Sequence, residues 1–400
     1  MKYRADIDSL RAIAVLLVVF NHVGWSFFSG GYIGVDVFFV ISGYLITSLL
    51  VKDISEKKFS IAQFYKKRVL RLAPAYFTVL IVVSIFAWQL MLPDEIIKYA
   101  TSVIYATFLM ANIYMYDEVG DYFSQNVDSI PLLHLWSLGV EEQFYIFWPV
   151  ILLIIFNTKI KNYIILVIII LICFSLYYTH YKININADKA YYMIPVRACE
   201  LLMGAIIVFL PKVEISKRIS SLIVFSGFLT IFLVAIFFNK DTEFLGNMVL
   251  IPCLATALII YLGGLYQNNN FLFTNNLSQW IGKISYPLYL WHWPIIVFCG
   301  FYLFRDNILT QISIIFFSLL LAWLTYHFVE QPFKKFIFVK NWKVIVFGYL
   351  FPGFLIISFA YFVQVNKGIP SRFDMHIYEQ LNLCTRQISQ NPYPIRILLS

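Results

Sequence analysis

The sequence predicts an all-α polytopic membrane protein. Of its 400 residues, 60% are hydrophobic and only 13% are charged, so a soluble fold of this length would leave much apolar surface in water. The mean hydropathy is +0.76, and apolar runs long enough to cross a bilayer as helices recur along the chain. Aromatic residues make up 19% of the chain, which is typical of proteins with interfacial aromatic belts.

Twelve apolar segments are candidate transmembrane helices. They cover about residues 10–28, 32–51, 72–92, 97–115, 135–156, 162–180, 196–210, 219–238, 247–265, 284–304, 309–330 and 344–365. The segment 97–115 is the predicted exception, because it closely follows the preceding run and leads into the acidic, polar stretch 117–128. We expect it to lie in the interface or to re-enter from the outer side, which leaves eleven crossings.

Positive charge is concentrated in short segments between the predicted spans. The segment 52–71 carries seven lysines and arginines, which marks it as cytoplasmic by the positive-inside rule. The N-terminus is then cytoplasmic as well, and eleven crossings make the C-terminal residues extracytoplasmic. The net charge of +8 follows from this topological signal, so the sequence does not indicate nucleic-acid binding.

Two ionisable residues share one face of the first predicted helix. Arg11 and His22 are eleven residues apart, which places them about 20° apart around the helix axis and about 16 Å apart along it. Asp36 starts the second span at a depth similar to that of His22. A carboxylate beside an imidazole fixes its tautomer and raises its basicity, so we predict that His22 is a general base supported by Asp36. The alternative is that both are structural hydrogen-bonding groups inside the bundle.

A pair of arginines lies at the cytoplasmic start of the third span, in FYKKRVLRLAPAYF. Arg68 and Arg71 are three residues apart and therefore share a helix face. Two guanidiniums on one face favour phosphate binding, and Arg11 lies at the same depth. Phosphate binding at the inner side with a base deeper in the membrane suits an acyl-CoA donor. The alternative is that the arginines only anchor the helix at the membrane surface.

Two further segments contain histidines or glutamates within apolar sequence. In PLLHLWSLGVEEQFYIFWP, His134 lies seven residues before Glu141, on the same helix face, and Glu142 is adjacent. We predict that the two glutamates act catalytically on the acceptor side, where they bind a polar acceptor, orient a base or shuttle protons. His134, and His292 in SYPLYLWHWP, are predicted to contact the substrate. The alternatives are a buried polar network for the glutamates and interfacial packing for His292.

Other kinds of site are not indicated. The five cysteines are scattered, with neither metal-ligand spacing nor a disulfide pattern, so no metal is predicted. The sequence also lacks a Gly-rich nucleotide loop and a Gly-x-Ser-x-Gly motif.

Five ordered blocks resemble the integral-membrane acyltransferase-3 family, which includes O-antigen and peptidoglycan O-acetylases. The blocks are DIDSLRAIAVLLVVFNH, GGYIGVDVFFVISGYLI, FYKKRVLRLAPAYF, HLWSLGVEEQFYIFWP and SYPLYLWHWP. The Arg-x10-His motif of the family matches Arg11 and His22, and its Arg-x-x-Arg motif matches Arg68 and Arg71. The resemblance implies a ten-span acyltransferase domain, about residues 1–335, in the bacterial inner membrane.

The activity that this resemblance implies is O-acetylation. An acetyl group would pass from cytoplasmic acetyl-CoA to a hydroxyl of an envelope glycan, such as the O-antigen of lipopolysaccharide, on the outer side. Direct transfer and an acetyl-histidine relay both remain open. The competing class is a transporter or flippase for a lipid-linked glycan or an acyl carrier, although the sequence shows no inverted repeat. A non-catalytic scaffold is a third alternative, and the sequence assigns no oligomeric state.

The C-terminal residues resemble the connecting part of two-part members of the family. Residues 336–365 would form a loop and the eleventh span, and 366–400 an extracytoplasmic linker. In those relatives an SGNH-hydrolase-like domain follows, and it opens with a short apolar strand and a Gly-Asp-Ser block. The segment PIRILLS resembles that strand, and no Gly-Asp-Ser block is present in the 400 residues. We therefore expect the chain to end before such a domain.

Overall fold

The computed structural model describes residues 3–119, 129–239, 242, 244–265, 275–300 and 307–373, and within them all regular structure is helical, as predicted. The long helices are α1 Ala5–Val23, α2 Gly34–Ser55, α3 Ile61–Leu90, α4 Pro93–Thr107, α5 Leu135–Phe156, α6 Ile164–Ala190, α7 Ile194–Ile206, α8 Lys217–Phe237, α9 Leu250–Leu265, α10 Asn276–Cys299, α11 Ile308–Thr325 and α12 Asn341–Val365. Short helices cover Ala111–Tyr114 and Gln331–Lys334.

Eight helices of the described part of the chain are long and apolar enough to cross a membrane, so the protein is a multi-pass membrane protein. They are α2, α3, α5, α6, α8, α9, α11 and α12. The predicted spans in α1, α7 and α10 do not meet these limits of length and composition. These three helices carry buried polar groups and pack within the bundle, where contact with protein replaces contact with lipid.

The centre of the bundle is held by helix crossings at glycines. In α2, a Cβ on Gly43 would come within 1.8 Å of the carbonyl oxygen of Leu201 in α7, and Gly204 approaches Val40 equally closely from the other side. In α10, a Cβ on Gly282 would lie 2.0 Å from the carbonyl oxygen of Asp8 in α1. The backbones therefore pack in direct contact, as the small residues of the second span predict.

The first helix ends earlier than its hydropathy suggests. Apolar sequence continues to residue 28, but Gly24 adopts φ +97° and terminates α1 at Val23. His22 consequently lies in the last turn of α1. This end position brings it close to the C-terminal half of α10.

The segment predicted not to cross contains α4, which has 15 residues and is therefore about 22 Å long, shorter than the hydrocarbon core. It packs against α12, where Gln364 donates to Thr101 Oγ1 (2.9 Å) and Tyr349 donates to the carbonyl of Thr107 (2.9 Å). The eleventh predicted span therefore joins the bundle through α4.

Most of the acidic stretch 117–128, and the tail residues 374–400 with PIRILLS, lie outside the described residues.

Candidate active site

A cavity lies where α1, α2, α3, α5 and α10 meet. Residues from all five helices line it, among them Arg11, Ser42, Arg68, Glu141 and Tyr289. Its walls combine several apolar and aromatic side chains with this small number of polar groups, a composition typical of sites for small organic ligands.

The three predicted phosphate-binding arginines line this one cavity. The guanidinium carbon of Arg68 lies 4.8 Å from the ring centre of Tyr145, and Nη1 of Arg11 lies 4.0 Å from Asp8 Oδ1. Within the described residues, neither Arg11, Arg68 nor Arg71 donates a hydrogen bond to a protein acceptor. Guanidinium groups that line a cavity and donate no hydrogen bond to the protein favour an anionic ligand.

Glu141, predicted to act on the acceptor side, lies in the same cavity as the arginines. Its Oε1 accepts hydrogen bonds from the hydroxyls of Ser42 and Tyr145. Because α5 begins at Leu135, as the sequence predicts, Glu141 lies about 9 Å along the helix from its start. Oε1 of the adjacent Glu142 is buried and has no hydrogen-bond partner among the described residues. The hydroxyl of Ser42, in the second span, thus binds the carboxylate of Glu141 across the cavity.

His22 pairs with His292. Nδ1 of His22 lies 3.0 Å from Nε2 of His292, and the two ring planes are nearly parallel, with an interplanar angle of 4° and 5.3 Å between centroids, so the rings meet edge to edge. Trp293 packs edge-on against the ring of His22, with 4.8 Å between centroids. His292 is fully buried, and its Nδ1 lies 2.6 Å from the carbonyl oxygen of Tyr289. The prediction located His292 at the substrate, whereas the structure brings it into direct contact with the predicted base.

Asp36, predicted to support His22, is paired with Arg197 in the structure. Oδ1 of Asp36 accepts a hydrogen bond from Nη1 of Arg197 (2.9 Å), and the same nitrogen donates to Glu200 Oε1 (2.7 Å). At most 1% of each of these three side chains is exposed. Sequence reasoning missed Arg197 and Glu200, although an Arg and a Glu three residues apart in the apolar segment IPVRACELL are the expected signal of a buried ion pair.

His134 lies at the N-terminal end of α5, beside the histidine pair. Its ring centre is 5.6 Å from that of His292 and 5.5 Å from that of Tyr289. It is 1% exposed, and neither ring nitrogen has a hydrogen-bond partner among the described residues. The hydroxyl of Tyr289, which lines the cavity, donates to the carbonyl of His134 (2.8 Å) and contacts Ser137 Oγ (2.6 Å). Tyr289 therefore lies between the arginine cavity on one side and His134 and His292 on the other.

Within the described residues, no group of three His, Cys, Asp or Glu side chains has a metal-binding arrangement. The described cysteines, Cys173, Cys199, Cys253 and Cys299, are unbridged.

Comparison with known proteins identifies similar chains. A family model described as an acyltransferase domain matches residues 4–327. "Putative O-acetyltransferase SAR0937" of Staphylococcus aureus strain MRSA252 is 36% identical, over 99% of this chain and 68% of that protein. "O-acetyltransferase OatA" of the same strain is 35% identical, over 89% of this chain and 63% of that protein. OatA of strain NCTC 8325 is 36% identical, over 86% and 59% respectively, so the chain spans less than two thirds of both OatA proteins. No solved structure matches the chain with significant similarity.

Proposed function

Since the chain belongs to the acyltransferase domain family, we propose that it is a transmembrane O-acetyltransferase of the bacterial inner membrane. It takes an acetyl group from cytoplasmic acetyl-CoA and transfers it to a hydroxyl of a cell-envelope polysaccharide on the outer side. The observation that carries this proposal is one cavity lined by three guanidiniums that donate no hydrogen bond to the protein, whose wall residue Tyr289 packs against the paired histidine His292.

The arginines bind the donor. The phosphates of acetyl-CoA supply the acceptors that Arg11, Arg68 and Arg71 lack in the protein, and charge-assisted hydrogen bonds of this kind are strong in a partly buried site. The pantetheine arm is long and uncharged, so it suits the aromatic and apolar walls that lead from the arginines to Tyr289. The thioester then lies at the end of the cavity next to the histidines.

His22 acts as the general base. It accepts the proton of the acceptor hydroxyl while the hydroxyl oxygen attacks the thioester carbonyl carbon, forming the C–O bond of the new ester. The C–S bond then breaks, and the proton passes from the imidazolium to the departing thiolate, which leaves as CoA–SH. A positioned base of this kind contributes about 10²–10⁴-fold to the rate.

Purified protein in nanodiscs tests the proposal with acetyl-CoA labelled in the acetyl group and a soluble glycan acceptor. We expect labelled glycan and an equal amount of CoA–SH, and loss of both with His22→Ala. The matched control is His180→Ala, because His180 is an exposed histidine of α6 outside the site. Wild-type transfer by His22→Ala would contradict the base assignment. Passage of an intact substrate across a vesicle membrane without release of CoA would instead identify a transporter.

A further inference from the structure

We propose that His292 is a positioning residue that sets the tautomer of His22, so that Nε2 of His22 carries the lone pair that accepts the proton. This inference rests on the proposed function, in which His22 is the base. It assigns to a neutral imidazole the orienting role that a carboxylate plays in many catalytic triads.

The chain begins at the carbonyl oxygen of Tyr289, which can only accept a hydrogen bond. Nδ1 of His292 lies 2.6 Å from this oxygen, so Nδ1 carries the hydrogen and donates it. Neutral imidazole has one N–H and one lone pair, and therefore Nε2 of neutral His292 is an acceptor.

The second link is the contact between the two rings. Nε2 of His292 lies 3.0 Å from Nδ1 of His22, a hydrogen-bond distance at which one nitrogen must donate. Because Nε2 of His292 is the acceptor, Nδ1 of His22 is the donor. In neutral His22 the lone pair is then on Nε2. In the other tautomer, the lone pairs of His22 Nδ1 and His292 Nε2 would face each other, and the hydrogen bond would be lost.

The surroundings hold this geometry. The crossing of α1 and α10 is fixed by backbone contact between Asp8 and Gly282, and near the other end by Trp293, whose ring packs against His22. The indole nitrogen of Trp293 donates to the carbonyl of Ile130 (2.8 Å), which prevents rotation of this ring. The two imidazoles are therefore held edge to edge in nearly one plane, the geometry that an N–H···N hydrogen bond requires.

A neutral orienting group suits a buried site in a membrane protein. A carboxylate at the place of His292 would need its own compensating charge, and the nearest buried acid of the second span, Asp36, is already paired with Arg197. When His22 takes up the proton, its Nδ1–H becomes a stronger donor to His292, and this hydrogen bond stabilises the imidazolium. The hydrogen bond between the two imidazoles thus stabilises the charged form of His22 only while His22 holds the proton during acetyl transfer.

Three variants of His292 test the inference. Glutamine places an amide oxygen near the position of Nε2 and keeps an acceptor for His22, whereas asparagine reaches only the position of Nδ1 and alanine supplies neither. We expect His292→Ala and His292→Asn to lower kcat by about 10²-fold with little change in KM for acetyl-CoA, and His292→Gln to stay within about tenfold of the wild type.

The outcomes separate this inference from the proposed function. Wild-type transfer by His22→Ala refutes the proposed function itself. A large loss in His22→Ala together with wild-type kcat in His292→Ala refutes only the role of His292, as does equal activity of the Asn and Gln variants. Gel filtration in detergent shows whether His292→Ala folds. If it does not, the activities of His292→Asn and His292→Gln still test the role of His292, because these two amide side chains differ only in length.

Discussion

Asp36 and Arg197 form a buried ion pair that joins the second span to α7, with 2.9 Å between Oδ1 and Nη1. Glu200 accepts a hydrogen bond from the same guanidinium nitrogen at 2.7 Å. The guanidinium also lies over the ring of Tyr191, with 4.2 Å to the centroid. One cation therefore holds two carboxylates next to the close crossing of α2 and α7, and none of these three side chains is among the residues that line the arginine cavity.

Replacement of Arg197 by methionine should destabilise the protein strongly. It leaves Asp36 and Glu200 buried without a cation, and removal of one partner of a buried ion pair costs about 3–5 kcal/mol. Equilibrium unfolding in detergent micelles measures the change. Arg218→Met, at an exposed position on α8, is the matched control and should have little effect. An unfolding free energy for Arg197→Met equal to that of the control would mean that the three groups are not ionised together.

Replacement of Asp36 by asparagine should leave acetyl transfer close to that of the wild type. Arg197 keeps Glu200 as its counter-ion in this variant, and His22 keeps His292 as its partner. Rates of acetyl transfer per folded molecule measure the effect, and we expect them to stay within about threefold of the wild type since no group at the base changes. A loss as large as that of His22→Ala would restore Asp36 as the orienting group of the base.

Helix periodicity explains why the arginine site was predictable and the histidine pair was not. Arg68 and Arg71 are three residues apart on one helix, and Arg11 shares their depth, so spacing alone brings them to one cavity. The partners of His22 and Asp36 lie 270 and 161 residues away. Such contacts depend on how α1, α2, α7 and α10 are arranged around each other, which no single helical repeat determines.

The position of Glu141 beside the arginines has the same origin. The predicted span 135–156 coincides with α5, so the place of Glu141 almost two turns inside that helix follows from the sequence. Its meeting with Arg68 depends on how α3 and α5 pack around the cavity, which the pattern of neither helix determines. The helices α1, α7 and α10 were among the candidate spans, although they fall short of the length or apolarity of the other spans.

Replacement of Arg68 by alanine should raise KM for acetyl-CoA by about 10–100-fold, because each charged hydrogen bond to phosphate contributes roughly 1.5–3 kcal/mol. The effect should vanish with S-acetyl-pantetheine, a donor that has no phosphate. Lys67→Ala is the matched control, since Lys67 lies on the same helix with its Nζ 3.8 Å from Asp53 Oδ2. An equal rise in KM for both donors would show that Arg68 maintains the fold of the cavity and does not bind the phosphates.

Replacement of His134 by leucine should separate acceptor use from donor use. His134 is buried against His292 and Tyr289, yet its ring nitrogens make no hydrogen bond to described residues. A buried polar group without a partner costs about 1–3 kcal/mol, so loss of the imidazole should not lower the free energy of unfolding. An acceptor hydroxyl at the histidines would supply the missing partner. We therefore expect KM for the glycan to rise while hydrolysis of acetyl-CoA in its absence is unchanged.

The control for this last variant is Ser137→Ala, one turn along α5, which removes the hydroxyl that contacts Tyr289 and leaves His134 in place. It should lower the stability slightly without a change in KM for the glycan. If His134→Leu destabilises the protein and affects donor hydrolysis and glycan transfer equally, then His134 belongs to the packing of α5 and α10. In that case His134 would only pack against His292 and would close that side of the histidine pair. The acceptor hydroxyl would then have to reach His22 from the side of α1.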